Sequence, residues 1–284
     1  MDNDDKPVGL ILSRRDALKI LGVGGAALLA ACAAPEATST LIPASAPTLT
    51  SATQVPGATA AALSCVVRPE LTIGPYFVDG QLNRSDIRTE ASDGSVREGL
   101  PLTIAIGVFD VSGNSCAPLE GAQVDVWHCD AQGHYSGVSD PGFDTSGQNF
   151  LRGYQLTDGS GKAQFVTIYP GWYSGRAVHI HFTIRTKATD GSDYQFTSQF
   201  FFDDTLTDQV HSQEPYVSKG QRNTRNADDN IYNGGGEQLL LNLDGDTTNG
   251  FTSTFNIGLD LTDLETGASD SAGGPGEPGG GPPP

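Results

Sequence analysis

The sequence predicts an all-β chain folded as a β-sandwich, and three observations carry that expectation. First, eight segments either alternate apolar with polar residues or are rich in β-branched and aromatic ones: 102–111, 122–129, 153–156, 163–168, 177–184, 194–202, 239–243 and 251–261. Strict alternation is what a strand with one buried face requires, because successive side chains point to opposite sides. Second, turn-forming clusters separate these segments, among them Ser112-Gly113-Asn114, Asp158-Gly159-Ser160-Gly161, Asp190-Gly191 and Asp244-Gly245, where Gly supplies left-handed backbone and Asp or Asn closes local hydrogen bonds. Third, no stretch sustains a 3.6-residue period beyond a short helix expected at 204–211. Short strands divided by turns, without an internal repeat, favour a sandwich.

The ends of the chain read differently. Ser13-Arg14-Arg15-Asp16-Ala17-Leu18-Lys19 precedes an uncharged apolar run, Ile20 to Ala31. Twelve residues are too few to span a bilayer, which takes about 20. The run fits the apolar part of an export signal, and the paired arginines resemble a twin-arginine signal, with Ala17 where that pattern usually carries Phe. Leu29-Ala30-Ala31-Cys32 resembles a lipoprotein processing box with Cys32 as the lipidated residue. The expectation is an exported lipoprotein, held at a membrane through Cys32. A plain signal peptide cut at a small-residue site is the alternative. Residues 32–64, poor in charge and rich in Ala, Thr, Ser and Pro, read as a disordered stalk, and residues 265–284 as a Gly/Pro tail. Between them, residues 65–264 suffice for one domain with a real core.

With 16 basic against 34 acidic residues the chain carries a formal charge of −18, which argues against nucleic acid and against anionic lipid as charge-bound partners. The acids of Asp203-Asp204, Asp228-Asp229 and Asp244-Gly245-Asp246 fall in loops and are expected to be solvated. The last trio lacks the loop length and terminal Glu of a calcium-binding EF-hand. If Cys32 is lipidated, Cys65, Cys116 and Cys129 remain. Cys65–Cys116 is the expected disulfide, because both flank loop-like sequence, whereas Cys129 follows a strand.

The chemistry concentrates in two stretches. In Tyr173-Ser174-Gly175-Arg176-Ala177-Val178-His179-Ile180-His181-Phe182, two histidines stand two apart on an expected strand, so both imidazoles point to one face, and a tyrosine lies six residues upstream after a Pro170-Gly171 turn. In the second, 118–137, a strand places Val124, Val126 and His128 on one face and Asp125 and Trp127 on the other. It then runs into a Gly-containing turn that presents Tyr135. Trp127 is expected in the core and Trp172 on a pocket wall. His128 is expected to pack or hydrogen-bond, His134 to point away from the site, and His211 to be solvated.

These stretches, with Ile73-Gly74-Pro75-Tyr76-Phe77, Thr157-Asp158 with Gly161, Ile168-Tyr169-Pro170-Gly171 and Gln199-Phe200-Phe201-Phe202, resemble the intradiol ring-cleavage dioxygenases, the group containing protocatechuate 3,4-dioxygenase and catechol 1,2-dioxygenase. The matches keep one order from about Cys65 to Phe202. The resemblance implies an immunoglobulin-like or prealbumin-like sandwich with long active-site loops. It also implies a non-haem Fe(3+) held by Tyr135, Tyr173, His179 and His181, with a catechol and O2 as substrates. Arg176 matches the active-site arginine, Gln199 a glutamine behind it, and Tyr76 a pocket tyrosine. Anionic phenolate oxygens suit Fe(III), whereas structural zinc more naturally takes Cys and His, and no cysteine pair here has C-x-x-C spacing.

On that reading Tyr173 is both a ligand and a general base, Arg176 stabilises developing negative charge, and Gln199 orients the arginine. The six-residue step from Tyr173 to His179 is shorter than in the well-known catabolic enzymes, which suggests an open site taking larger or varied catechols. The stalk stands where catechol 1,2-dioxygenases carry a helical domain. Two other readings stay open: an extracytoplasmic iron- or catechol-binding module without turnover, and an adhesion-type sandwich. Whether two copies pair as a homodimer is not legible in the sequence.

Overall fold

The computed structural model describes residues 66–264. The leader at 1–31, Cys32, the 32–64 stretch, Cys65 and the tail at 265–284 lie outside the described residues. Two sheets face one another. In the first, β1 (Pro101–Asp110) pairs in parallel with β11 (Gly250–Leu259) and antiparallel with both β7 (Lys162–Ile168) and the short β2 (Ala117–Pro118); β10 (Asp244–Asp246) extends the β11 edge. The second runs β6 (Arg152–Leu156), β3 (Gln123–Trp127), β8 (His179–Lys187), β9 (Asp193–Phe201), antiparallel throughout.

Alternation decides what each face does. On the second sheet Val124, Val126, Ile180, Phe182, Ile184, Phe196 and Phe200 point inward, where they join Ile104, Ile106, Val108, Phe165 and Ile257 of the first sheet in one buried cluster. Each such side chain contributes about 1.5–3 kcal/mol by leaving water. The intervening residues Asp125, Trp127, His179, His181, Thr183, Thr197, Gln199 and Phe201 point to the outer face, yet they are buried too. A sheet buried on both sides needs a second cover, which here is made of loops.

Helix α1 (Asp204–His211) forms where expected, capped by the Asp203 carboxylate, which accepts from Leu206 N at 2.9 Å. The expected strand at 239–243 does not form. Gly236–Leu239 is a 3-10 turn, and only one bridge, Leu240 to Phe201, links the segment to β9, so strand pairing begins at Asp244. Gly235, at φ 129, turns the chain into that 3-10 turn, four residues ahead of the expected strand. His211, expected in solvent, is buried instead, with Nε2 3.0 Å from the Pro170 carbonyl oxygen and its ring stacked on Tyr216. Cys116 is disulfide-bonded and Cys129 is free and buried.

Candidate active site

Strand register builds the floor of the site. Arg152 on β6 stands opposite Trp127 on β3, Trp127 opposite His181 on β8, and His181 opposite Gln199 on β9. Directly opposed residues share a face, so four strands present one row of buried polar and aromatic side chains on the sheet's outer side. Trp127 lies flat on the His181 imidazole, with centroids 5.0 Å apart and planes within 5°. On the other flank the Gly74 backbone closes over the same ring. A Cβ there would sit 3.0 Å from His181 Cε1, and the φ of +69° itself favours glycine.

Two tyrosines enter from loops. After β3 a turn closed by Gly133 N to Asp130 O (2.9 Å) delivers Tyr135, which is fully buried. The Pro170-Gly171 turn packs so closely on this one that a Cβ at Gly171 would lie 2.4 Å from the Asp130 carbonyl oxygen. That approach sets Tyr173 beside Tyr135, ring centroids 5.7 Å apart at 74°. The result is a convergence on one point. His179 Nε2 lies 3.0 Å from His181 Nε2, 3.3 Å from the Tyr173 hydroxyl and 3.4 Å from the Tyr135 hydroxyl.

Proton bookkeeping around that point is unfinished. His179 Nδ1 is 2.7 Å from the Ala177 carbonyl oxygen, which can only accept, so the neutral ring carries its proton there and turns a bare lone pair from Nε2 toward its neighbours. His181 Nδ1 is buried and has no hydrogen-bond partner among the described residues. Burial first, and the Arg176 charge second, hold both imidazoles well below the usual histidine range. Burial likewise pushes the Tyr173 phenol up to about 12 and the Tyr135 phenol well above its ordinary range. A cation among the four donors would reverse the phenols' preference by stabilising their anions. Two imidazole Nε2 atoms and two ionisable phenols meeting at one buried point fit a hard metal ion.

Arg176 reaches the site from the Tyr173–His179 loop. Its Nη2 donates to Gln199 Oε1 at 2.6 Å and its Nε to Asp229 Oδ2 at 2.9 Å. Gln199 is fixed in turn by donating to the Thr72 carbonyl oxygen at 2.7 Å. Asp229 is the residue sequence reasoning missed, having been read as a solvated loop acid. It is buried, and besides Arg176 it accepts from Ala177 N (2.8 Å) and Ile231 N (2.7 Å). A buried carboxylate survives only with such partners. The guanidinium is thus held at two of its nitrogens, while Nη1 has no partner among the described residues. Asp204, also expected in solvent, is tied to Arg222 beside α1.

The remaining expected residues divide. Tyr76 joins the group: its ring stacks on Tyr135 at 4.5 Å and meets Tyr173 edge-on at 6.0 Å. The buried Arg152 holds this corner, donating to Ser136 Oγ at 2.7 Å and to the Tyr76 carbonyl oxygen at 3.2 Å. Trp172, adjacent to Tyr173 in the chain, is engaged by other partners: Nε1 donates to the Gly220 carbonyl oxygen at 3.1 Å and Lys219 Nζ lies 5.2 Å from the ring. His134 turns away and packs on Phe143 at 4.6 Å.

The model of a family described as dioxygenase matches residues 72–221, more than half of the chain, and that span holds the sandwich's phenol and imidazole cluster. Among solved structures, an intradiol ring-cleavage dioxygenase from Tetranychus urticae is 30% identical at a TM-score of 0.61, over 70% of this chain and 97% of that one. Among curated relatives, a chlorocatechol 1,2-dioxygenase of Pseudomonas putida is 28% identical over 149 residues, which is 46% of this chain and 52% of the relative. A second, from Pseudomonas sp. strain P51, is 29% identical over 148 residues, 46% of this chain and 53% of its own length. The chain belongs to the intradiol ring-cleavage dioxygenase family. It spans about half the length of the curated relatives it matches.

Proposed function

We propose that this chain is a non-haem Fe(III) enzyme that cleaves catechol-type rings between the two hydroxyl-bearing carbons with O2, yielding muconate-type diacids. The observation that carries the proposal is the meeting of Tyr135, Tyr173, His179 and His181 at one buried point, with a tethered arginine beside it. These four side chains would hold the ion. Bound there, Fe(III) would supply the Lewis acidity that keeps phenols ionised at neutral pH and draws a catechol in as its dianion.

The chain's own groups then divide the work. Tyr173 is half-buried as a residue, unlike the fully buried Tyr135, and its hydroxyl oxygen takes a catechol proton as general base. Arg176, its Nε and Nη2 already committed, offers the Nη1 hydrogens to negative charge developing on substrate oxygen. A preorganised donor of this kind costs no reorganisation during reaction. Gln199 and Asp229 keep that guanidinium still. Trp127, Gly74 and Tyr76 exclude water from the imidazoles and phenols. Cys32, beyond the described domain, would tether the mature chain to a membrane as an exported lipoprotein; mass analysis of the processed amino terminus, compared with Cys32→Ser, tests that separately.

Oxygen uptake by iron-loaded protein with catechol, followed by product mass, is the test of activity. The expected product contains both atoms of O2. Iron binding without uptake, or incorporation of one oxygen atom alone, would contradict the proposal and favour a sequestering module.

A further inference from the structure

Tyr76 belongs to the pocket wall, and the partner of its hydroxyl has a consequence for substrate choice. The short hairpin of β4 (Ser139–Asp140) and β5 (Phe143–Asp144) lies beyond it. Asp140 at the hairpin turn accepts from Gly142 N through Oδ1 at 2.9 Å and from the Tyr76 hydroxyl through Oδ2 at 2.9 Å. A carboxylate only accepts, so the phenol proton points to Asp140, and the Tyr76 oxygen has only lone pairs left to offer elsewhere. The Tyr76 ring itself is clamped between Tyr135 and Tyr173. Among the described residues no cation pairs with Asp140. Of the two arginines of this region, Arg152 is committed to Ser136 and the Tyr76 backbone, and Arg176, held by Asp229 and Gln199, turns only Nη1 toward the reacting oxygens.

We infer that Asp140, acting through Tyr76, is a specificity-determining residue that selects catechols carrying neutral, hydrogen-donating or cationic ring substituents and rejects ring carboxylates. This rests on the dioxygenase reading above. A ring carboxylate would face an uncompensated charge and a hydroxyl that cannot donate to it, whereas an ammonium or hydroxyl substituent meets acceptors. At a separation of about 8 Å and an effective permittivity of roughly 20–40, one such charge pair changes a binding constant by roughly fivefold to thirtyfold.

The test uses the iron-loaded full chain and three probes: catechol, 3,4-dihydroxybenzoate and dopamine. Affinities come from anaerobic titration of the visible band, and kcat/KM from oxygen uptake. In the native chain 3,4-dihydroxybenzoate should trail catechol by about tenfold or more in both quantities. Asp140→Asn keeps the shape of the turn and removes the charge. It should narrow that gap at least about fivefold while lowering the dopamine-to-catechol ratio. The native carboxylate discrimination should also shrink as salt rises from about 0.01 to 1 M, because screening weakens a partly exposed charge, and that measurement needs no variant. Ratios that move less than twofold on substitution, or discrimination indifferent to salt, overturn the role of Asp140 alone. Failure of catechol itself to bind the iron-loaded native chain overturns the dioxygenase reading, and this inference with it.

Discussion

Two buried histidine environments, a few ångströms of sheet apart, are finished to different degrees. His128 follows β3 and completes itself: Nδ1 donates to the Cys129 carbonyl oxygen at 2.8 Å, and Nε2 accepts from Thr167 Oγ1 at 2.6 Å. His179 and His181, equally buried, turn Nε2 atoms on each other at 3.0 Å beside two phenols, and His181 Nδ1 has no partner among the described residues. Buried polar groups are normally satisfied, because each orphan costs roughly 1–3 kcal/mol. The first environment is therefore a piece of frame, whereas the second is left unsatisfied among the described residues. The lesson is that incompleteness, more than burial or histidine content, marks the functional point.

The largest effect that would break this contrast lies at the incomplete pair. His179→Ala or His181→Ala should weaken iron binding by more than about 100-fold, beyond what loss of a merely supporting partner costs. Metal analysis after dialysis measures it; stoichiometric iron in either variant removes that residue from the ligand set. Next comes the tethered cation. Arg176→Ala should keep iron and lower turnover on the order of 10²-fold, as for other charge-stabilising donors. Asp229→Asn should lower it about tenfold, since an amide turned toward two N–H donors no longer fixes the guanidinium. Combined with Arg176→Ala it should add nothing further, whereas a purely structural role for Asp229 would make the losses multiply.

The smallest effect belongs to the finished histidine, and there the readout is stability. Burial drives the His128 pKa down to about 4. The unfolded chain therefore takes up a proton near pH 6.5 that the folded chain refuses. Stability from this residue is fully present above pH 6.5 and is lost as pH falls toward 4, by on the order of 3 kcal/mol. In iron-free protein the depressed His179 and His181 act in the same direction. His128→Gln should flatten the acid limb of the stability profile, measured by urea unfolding at several pH values, while leaving iron content intact. An unchanged slope, or lost iron, would erase the distinction between the two environments.

Much of this was legible because alternation reports faces directly. Ile180 and Phe182 belong to the core and His179 and His181 do not, as their two-residue spacing requires, and the Gly133 turn delivers Tyr135 from the end of the strand carrying Trp127. The short helix expected at 204–211 forms as α1, although its cap, Asp203, reads in the sequence as a solvated loop acid. What escaped depends on distance in the chain. Nothing near Asp229 indicates that it will meet Arg176 across an |i−j| of 53, so a loop acid looks solvated until the fold buries it. His211 escaped for the same reason, because its cover comes from Pro170 and Tyr216. The 239–243 segment has strand composition but only one bridge to a neighbour, and composition without a pairing edge does not make a strand. The β4–β5 hairpin, two residues a side, is too short for any periodicity to register.

The most direct measurement is a titration of chelator-stripped chain with Fe(III) under argon, followed by visible absorption. The account requires a tyrosinate-to-iron band that saturates at one ion per chain and changes in both Tyr135→Phe and Tyr173→Phe. A colourless endpoint, or a band indifferent to either substitution, would contradict it.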